Sequence, residues 1–260
     1  MLAPTLFILY TNDLPDPLHP MSLTLQYADD VTQLITANNY SLLHRHIQQE
    51  LDRVTVWEHR WRIKANTSKC HITYFPSSHR TQPVKLDSYT TPTSYIPVAN
   101  TNKVLGVNYD SILHIHLHIR TKAAYANTCL KQLYRFRTAT PKMKLHLYKT
   151  LVLPHLTHSP LTLSLAYTTN IRKLQVIQNK ALRFILNTHY TEHRTNRSLH
   201  EQVNIPPLNI RWRLLIDNQL TLLRDELPHW CDFLTDLTGR FGARIDLFHT
   251  IDAPYPNEIY

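Results

Sequence analysis

The sequence predicts an α+β fold, with an antiparallel sheet and a packed helix first and a helical bundle after it. Three observations carry that expectation. Short apolar, β-compatible runs at residues 23–26 and 31–35 flank the turn Tyr27-Ala28-Asp29-Asp30, the pattern of a hairpin. Leu43, Ile47, Leu51, Val54, Trp57 and Trp61 recur at three- and four-residue intervals and define one amphipathic helix over about residues 40–61. Beyond residue 111 the apolar positions keep helical spacing, and the charged positions are all of one sign as far as residue 191.

Composition bounds the function. The chain has 260 residues, 43% hydrophobic and 18% charged, enough to bury a core in one large domain or two modest ones. Its net charge is +9 with a pI near 9.5, which favours a polyanionic partner. Cys70, Cys129 and Cys231 are widely spaced and odd in number, so they read as reduced thiols of a nuclear or cytoplasmic protein without a CxxC zinc pair. The apolar N-terminus lacks the basic region and cleavage site of a signal peptide. The most apolar stretch, residues 145–167, is interrupted by Lys149, His155, His158 and two prolines. A soluble intracellular protein without a membrane partner is expected.

The hairpin places two adjacent carboxylates, Asp29 and Asp30, at its tip. Like charges side by side on a tight turn are tolerated most easily with a cation in front of them. Mg²⁺ suits such a site, with Mn²⁺ as an alternative, because it takes hard oxygen ligands and accepts one or two carboxylates plus substrate phosphates. An exposed acidic turn without a ligand is the plainer alternative.

Asn38 or Asn39 caps the helix that follows, with its apolar stripe against a sheet and Arg45, Gln48, Gln49, Asp52 and Arg53 on a solvated face. A polar turn, Asn66-Thr67-Ser68-Lys69, leads into a strand-like run at residues 70–75. Residues 76–102 are rich in Pro, Ser and Thr, with β islands at 84–86 and 94–96, and predict a hairpin followed by a loop. Residues 103–109 form the next strand. Gly106, one of only three glycines, marks a bulge or a close backbone approach there.

From Ser111 to Thr191 there is no Asp or Glu, yet the stretch carries Arg120, Lys122, Lys131, Arg135, Arg137, Lys142, Lys144, Lys149, Arg172, Lys173, Lys180 and Arg183. A solvated surface normally mixes both signs, so this one-sidedness points to phosphates. The alternating His114, His116 and His118 lie at a helix entrance without acidic or Cys partners, which disfavours a metal site. Ile119, Ala123, Ala126, Leu130 and Leu133 stripe a first helix, and Thr140 with Pro141 starts a second. Pro154 and Pro160 break the next stretch. Thr169 or Asn170 caps a long helix whose inner side is Ile171, Leu174, Ile177, Ala181 and Ile185. A short helix near 198–203 and a longer one at about 208–227, striped by Leu208, Trp212, Leu215, Gln219 and Leu222, complete the bundle. Residues 228–260 lose periodicity and predict an irregular tail.

Several segments together resemble the reverse transcriptases of non-LTR retrotransposons. The run Ala3-Pro4-Thr5-Leu6-Phe7-Ile8-Leu9-Tyr10-Thr11-Asn12-Asp13-Leu14-Pro15 is similar to that family's "SPxLFxxYxNDLP" segment, and Tyr27 to Asp30 to its YADD box. Trp57, Trp61, Asn66 and Lys69 match its "W…W…N-x-x-K", and Val104-Leu105-Gly106-Val107 with Asp110 its "LGV-x-x-D". Leu147-Tyr148-Lys149 through Pro154, and Leu174-Gln175 through Arg183, look like its helical downstream region. Matches in this order are more specific than any one alone.

The resemblance implies a partial right-hand polymerase palm over residues 1–112 and a helical thumb-like region over 113–227, with 228–260 as a tail. It implies RNA-directed DNA polymerisation by two-metal nucleotidyl transfer, with an RNA template, a DNA primer and deoxynucleotides as partners. Asp29 and Asp30 would be catalytic metal ligands, and Tyr27 would lie against the nucleic acid. Lys69 inherits the position of a general acid that protonates leaving pyrophosphate, help worth roughly 10² to 10⁴ in rate, although a solvated turn lysine fits equally. Gly106 would sit in the primer-grip segment, and Lys122, Lys131, Arg135, Lys173, Lys180 and Arg183 would follow a duplex backbone. In the family a further catalytic Asp and the fingers precede the segment matched by residues 3–15, and Ala3 stands where the family has Ser. The chain is therefore expected to begin within the palm, with an incomplete site. Three readings follow: a polymerase-derived portion inactive by itself, an active enzyme completed by other sequence, or a non-catalytic nucleic-acid-binding remnant.

Overall fold

A computed structural model describes residues 2–20, 22–75, 89–91, 94–164, 166–189 and 191–226. The expected β island at residues 84–86, Cys231 and the tail at 228–260 lie outside the described residues. What is described mixes helices with small antiparallel sheets, divided between two compact units: Met1–Gly106 with Asp110–Ile112, and Val107–Tyr109 with Leu113–Tyr260.

The first unit opens with helix α1 (Leu2–Thr11), then strands β1 (Leu23–Tyr27) and β2 (Asp30–Leu34), then α2 (Tyr40–Trp61). Strands β1 and β2 pair antiparallel with Tyr27 opposite Asp30 and Leu23 opposite Leu34, so the turn consists of Ala28 and Asp29. Ala28 takes the left-handed backbone at φ 53. Helix α2 has the predicted bounds and is capped by Asn39, whose side chain accepts from the Leu42 N–H at 2.9 Å. Ile47 is the buried centre of a small core with Ile35, Tyr40, Leu43, Leu51, Ile72, Tyr74 and Val98 around it.

The expected single sheet resolves differently: among the described residues the strands form three separate two-stranded sheets. Residues 70–75 are not a strand, because only Ile72 finds a partner, in one isolated parallel bridge to Val98. Strands β3 (Tyr89–Thr91) and β4 (Ser94–Ile96) pair as a short hairpin, so the predicted island at 94–96 is a strand, with residues 89–91 and not the island at 84–86 as its partner. Residues 103–109 are not one strand either. They divide into the ends of β5 (Thr101–Val104) and β6 (Val107–Asp110), which pair with each other. Leu105 at φ 46 and Gly106 at φ 81 form the two-residue turn between them. Positive φ at both central positions is the geometry that matches hairpin twist, so Gly106 serves a turn and not a bulge.

In the second unit, α3 (His116–Leu133) ends in a 3₁₀ turn (Tyr134–Phe136), followed by α4 (Pro141–Leu147), a π turn (Tyr148–Val152), α5 (Leu153–Thr157), α6 (Pro160–Ser164), α7 (Thr168–Leu186), α8 (Asn196–Val203) and α9 (Leu208–Glu226). Pro154 lacks the N–H that would donate to Thr150, and the turn before it widens so that the Leu153 N–H reaches Tyr148. Thr140 caps α4 with Pro141 at its first position, as predicted. The predicted inner sides of α3 and α7 supply the core, joined by Tyr148, Leu156, Leu163, Leu182, Leu199 and Trp212. Of the stripe predicted for α9, Leu208 and Trp212 are buried, Leu215 is half-buried with the unpredicted Ile216 buried beside it, and Gln219 is exposed. Leu222 is 72% exposed.

Candidate functional site

The candidate metal centre begins with the hairpin tip. Tyr27, Ala28, Asp29 and Asp30 are all exposed. Strand alternation puts Leu23, Leu25 and Tyr27 on one face with their partners Leu34, Thr32 and Asp30, so Asp30 shares a face with Tyr27 while Asp29 sits in the turn itself. The opposite face is tied down: Gln26 Nε2 donates to Thr11 Oγ1 at 2.7 Å and to the Ala28 carbonyl at 3.2 Å. Thr11 is buried at the end of α1. One amide side chain thus fixes the turn that carries the acids to the helix before it.

The loop between α1 and β1 is in turn strapped across α2. Asp13 accepts from two indoles, Trp57 Nε1 on Oδ1 and Trp61 Nε1 on Oδ2, each at 2.8 Å. The Arg53 guanidinium donates to the Asp16 carbonyl, and Glu50, 1% exposed, accepts the Leu18 N–H at 2.7 Å. Tyr10 packs edge-on against Trp61 with ring centroids 5.0 Å apart, and its hydroxyl donates to the Trp61 carbonyl. Two sequence features that look independent, the Asp13 loop and the paired tryptophans, are therefore one contact. Arg53 also belongs to this strap and is not merely solvated.

Lys69 is exposed at the end of a turn built by Asn66. Asn66 Oδ1 accepts from the Ser68 hydroxyl at 2.6 Å and from the Ser68 N–H at 3.2 Å, and its carbonyl accepts from the Lys69 N–H at 2.9 Å. The spacing from Asn66 to Lys69 is the spacing of this turn. Behind it, burial and the nearby Glu58 carboxylate push the Cys70 thiol up from its ordinary pKa.

The basic residues of the helical unit separate into faces. On α7, Arg172, Lys173 and Lys180 are exposed and Arg183 is half-buried. At about 100° per residue they span little more than a quarter of the helix circumference, opposite the buried Leu174, Ala181 and Ile185. On α3, Arg120 and Lys131 lie three turns apart on the same exposed side, leading toward the exposed Arg135. Lys122, nine positions before Lys131, points to the other side of that helix, so the two cannot serve one surface along α3. Burial, and after it the positive charge of Lys122, lowers the pKa of His118, His155 and His158.

Two further expectations change. Lys144 is fully buried, with its ammonium 5.0 Å above the Phe184 ring and donating to Asn187 Oδ1, so it is a core residue and not a phosphate contact. Arg183 donates to the Arg194 carbonyl at 3.4 Å, which anchors part of its guanidinium to the loop after α7. The alternating histidines do not converge: His118 is buried with Nδ1 accepting from the Asn108 N–H, His114 packs against Tyr167, and His116 is exposed. Exposed Arg120 and Arg172 extend the two basic faces and were legible in the acid-free stretch. Asp13 was legible only as part of a motif.

Two exposed carboxylates on a fixed turn suit a hard divalent cation that takes its remaining ligands from water and phosphate oxygens. Among the described residues no group of three or more His, Cys, Asp or Glu could hold a metal ion. No helix among them is long and apolar enough to cross a membrane.

Comparison with known proteins agrees with this chemistry. Residues 1–109 match the family model described as reverse transcriptase (RNA-dependent DNA polymerase). The chain is 27% identical over 213 residues to a probable RNA-directed DNA polymerase from transposon X-element of Drosophila melanogaster, covering 79% of this chain and 23% of the relative. It is 27% identical over 222 residues to a probable RNA-directed DNA polymerase from transposon BS of the same organism, again covering 79% and 23%. Against the RNA-directed DNA polymerase from mobile element jockey, also from Drosophila melanogaster, identity is 24% over 227 residues, covering 80% and 23%. The chain thus spans just under a quarter of the length of the curated relatives it matches. No solved structure matches it.

Proposed function

Because this chain is reverse-transcriptase sequence of the non-LTR retrotransposon type, we propose that it supplies the metal-binding hairpin and the nucleic-acid grip of an RNA-directed DNA polymerase. In this reading residues 1–112 are the part of the palm that carries Asp29 and Asp30, and residues 113–227 are a thumb-like bundle. The observation that carries it is the exposed Asp29–Asp30 pair on a hairpin whose turn is fixed through Gln26 and Thr11.

Asp29 and Asp30 would hold Mg²⁺, with Mn²⁺ able to substitute. When bound, such ions lower the pKa of an attacking 3′-hydroxyl and neutralise charge on the leaving pyrophosphate. The chain's own groups do the rest. Tyr27, on the same face as Asp30, stacks or packs against the nucleotide, and Lys69 donates a proton to the leaving group. The tight turn at Gly106 brings backbone close to the primer strand. Lys173 and Lys180, joined by Arg172, contact phosphates along α7, with Arg183 on the same face, and Lys131 with Arg135 does so along α3. Lys122 enters the reading only as a contact of a separate surface. Template RNA, DNA primer and deoxynucleotides are the proposed partners.

Two-metal transfer in this family needs one carboxylate more than the hairpin offers, and the reading assigns it to polypeptide outside these residues or to a second chain. Primer extension with binding controls tests the whole. The chain alone should retain an RNA–DNA template–primer without extending it. Replacing Lys173 and Lys180 by Ala should flatten the dependence of log affinity on log salt by about two phosphate contacts. Extension by the chain alone, abolished by Asp29→Ala, would make it a complete polymerase. Salt-dependent binding to which Mg²⁺, Asp29 and Asp30 are indifferent would instead support the non-catalytic remnant.

A further inference from the structure

We propose that the turn Tyr134-Arg135-Phe136-Arg137, with the groove beside it, docks unpaired bases of single-stranded nucleic acid. This deepens the nucleic-acid reading above and rests on it, but concerns a different ligand state from the duplex held along α7. The turn closes α3 as a 3₁₀ segment over Tyr134–Phe136. Its four side chains alternate aromatic and guanidinium, and all are exposed, with Tyr134 at 52% and Phe136 at 48%. Large aromatics left half in water are a cost unless something covers them.

The surroundings select the occupant. An open groove of about 380 Å³ is lined by Cys129, Gln132, Leu133, Arg135, Phe136 and Leu151, within the roughly 300–1,000 Å³ typical of small-ligand clefts. The groove's lining carries one guanidinium, that of Arg135, with Arg137 two residues further along the chain, and the surrounding sequence from Ser111 to Thr191 holds no acid. Gln132, exposed at the edge, offers an amide with both a donor and an acceptor, the pair a base edge requires. Tyr134 is backed by the buried Phe184 ring, centroids 5.2 Å apart and inclined by 52°, and Phe184 is itself covered by the Lys144 ammonium. An exposed tyrosine resting against a buried ring, next to an exposed phenylalanine and alternating with two arginines, offers a stacking platform with a phosphate-binding rim. A single strand presents its ring faces to such a platform, and a paired duplex does not.

The test uses the full chain with short single-stranded RNA and DNA carrying 2-aminopurine, and a duplex of the same sequence. Anisotropy reports affinity, and quenching reports stacking. Phe136→Ala is expected to weaken single-strand binding about tenfold, to remove the quenching and to leave duplex affinity unchanged, as loss of one stacked base would. Phe136→Trp should restore both signals, and Phe136→Leu should not. Retained affinity in Phe136→Ala overturns the proposal, as does full affinity in Phe136→Leu, which would mark an apolar site for a peptide. Equal loss on single strand and duplex also overturns it. Duplex binding that depends on Lys173 and Lys180 beside an indifferent Phe136 variant sinks only the stacking site. Failure of the wild-type chain to bind either form sinks the nucleic-acid reading as well.

Discussion

At the scale of single residues, Asp13 does more than its motif suggests. Its two oxygens accept one indole N–H each, and Trp57 is largely buried, so losing the carboxylate leaves the Trp57 N–H short of an acceptor. Asp13→Ala should therefore destabilise the first unit by about 1–3 kcal/mol, and Asp13→Asn by less, because the amide oxygen can still accept from one indole. Urea unfolding followed by tryptophan fluorescence measures this. A change within experimental error would show that the strap across α2 contributes nothing. Sequence alone separates Asp13 from the hairpin acids only through its motif position, whereas the structure shows each of its carboxylate oxygens accepting from an indole N–H. Lys144 teaches the reverse lesson. It reads as one more cation in a basic stretch, and only the packing of Phe184 and Asn187 around it reveals a buried ammonium.

At the scale of elements, most helices and the first hairpin are legible in the sequence, whereas α1 and the later strand pairings are not. Helix α2 keeps its predicted ends because the information is local: Asn39 caps it, one apolar stripe runs its length, and Arg62 closes it in the left-handed conformation. The face of α7 is legible for the same reason. Residues 70–75 fail as a strand because pairing needs a distant partner, and only Val98 meets them. Gly106 reads in the sequence as a bulge or a close backbone approach because nothing nearby reveals that Leu105 also takes positive φ. The start of α3 offers a pH test. His118 is fully buried, accepts the Asn108 N–H through Nδ1, and is held at a pKa of about 4 by burial first and by the Lys122 and His158 charges second. The unfolded chain takes up this proton near pH 6.5, the folded chain only near 4, so between those values the unfolded state binds more protons. Stability from this group is present above pH 6.5 and falls as pH drops toward 4. His118→Gln should flatten that part of the stability profile measured by thermal unfolding. His155 and His158, also shifted downward, would leave a residual slope.

At the scale of the molecule, charge and acids are kept apart along the chain. The acid pair lies on an early hairpin, the acid-free basic stretch lies in the helical unit, and the net charge is +9. That separation was visible in the sequence, whereas the assignment of each cation to a face was not, since it depends on which side of each helix is buried. The proposed function stands or falls with Asp29 and Asp30 together binding a divalent cation. Nuclear magnetic resonance of the full chain titrated with Mn²⁺ tests this, because a paramagnetic ion broadens the amide signals near it. Selective broadening of the signals of residues 27–31 is expected, lost when Asp29 and Asp30 are both replaced by Asn. Broadening centred on the histidines, or broadening at the hairpin that survives the double replacement, would contradict it.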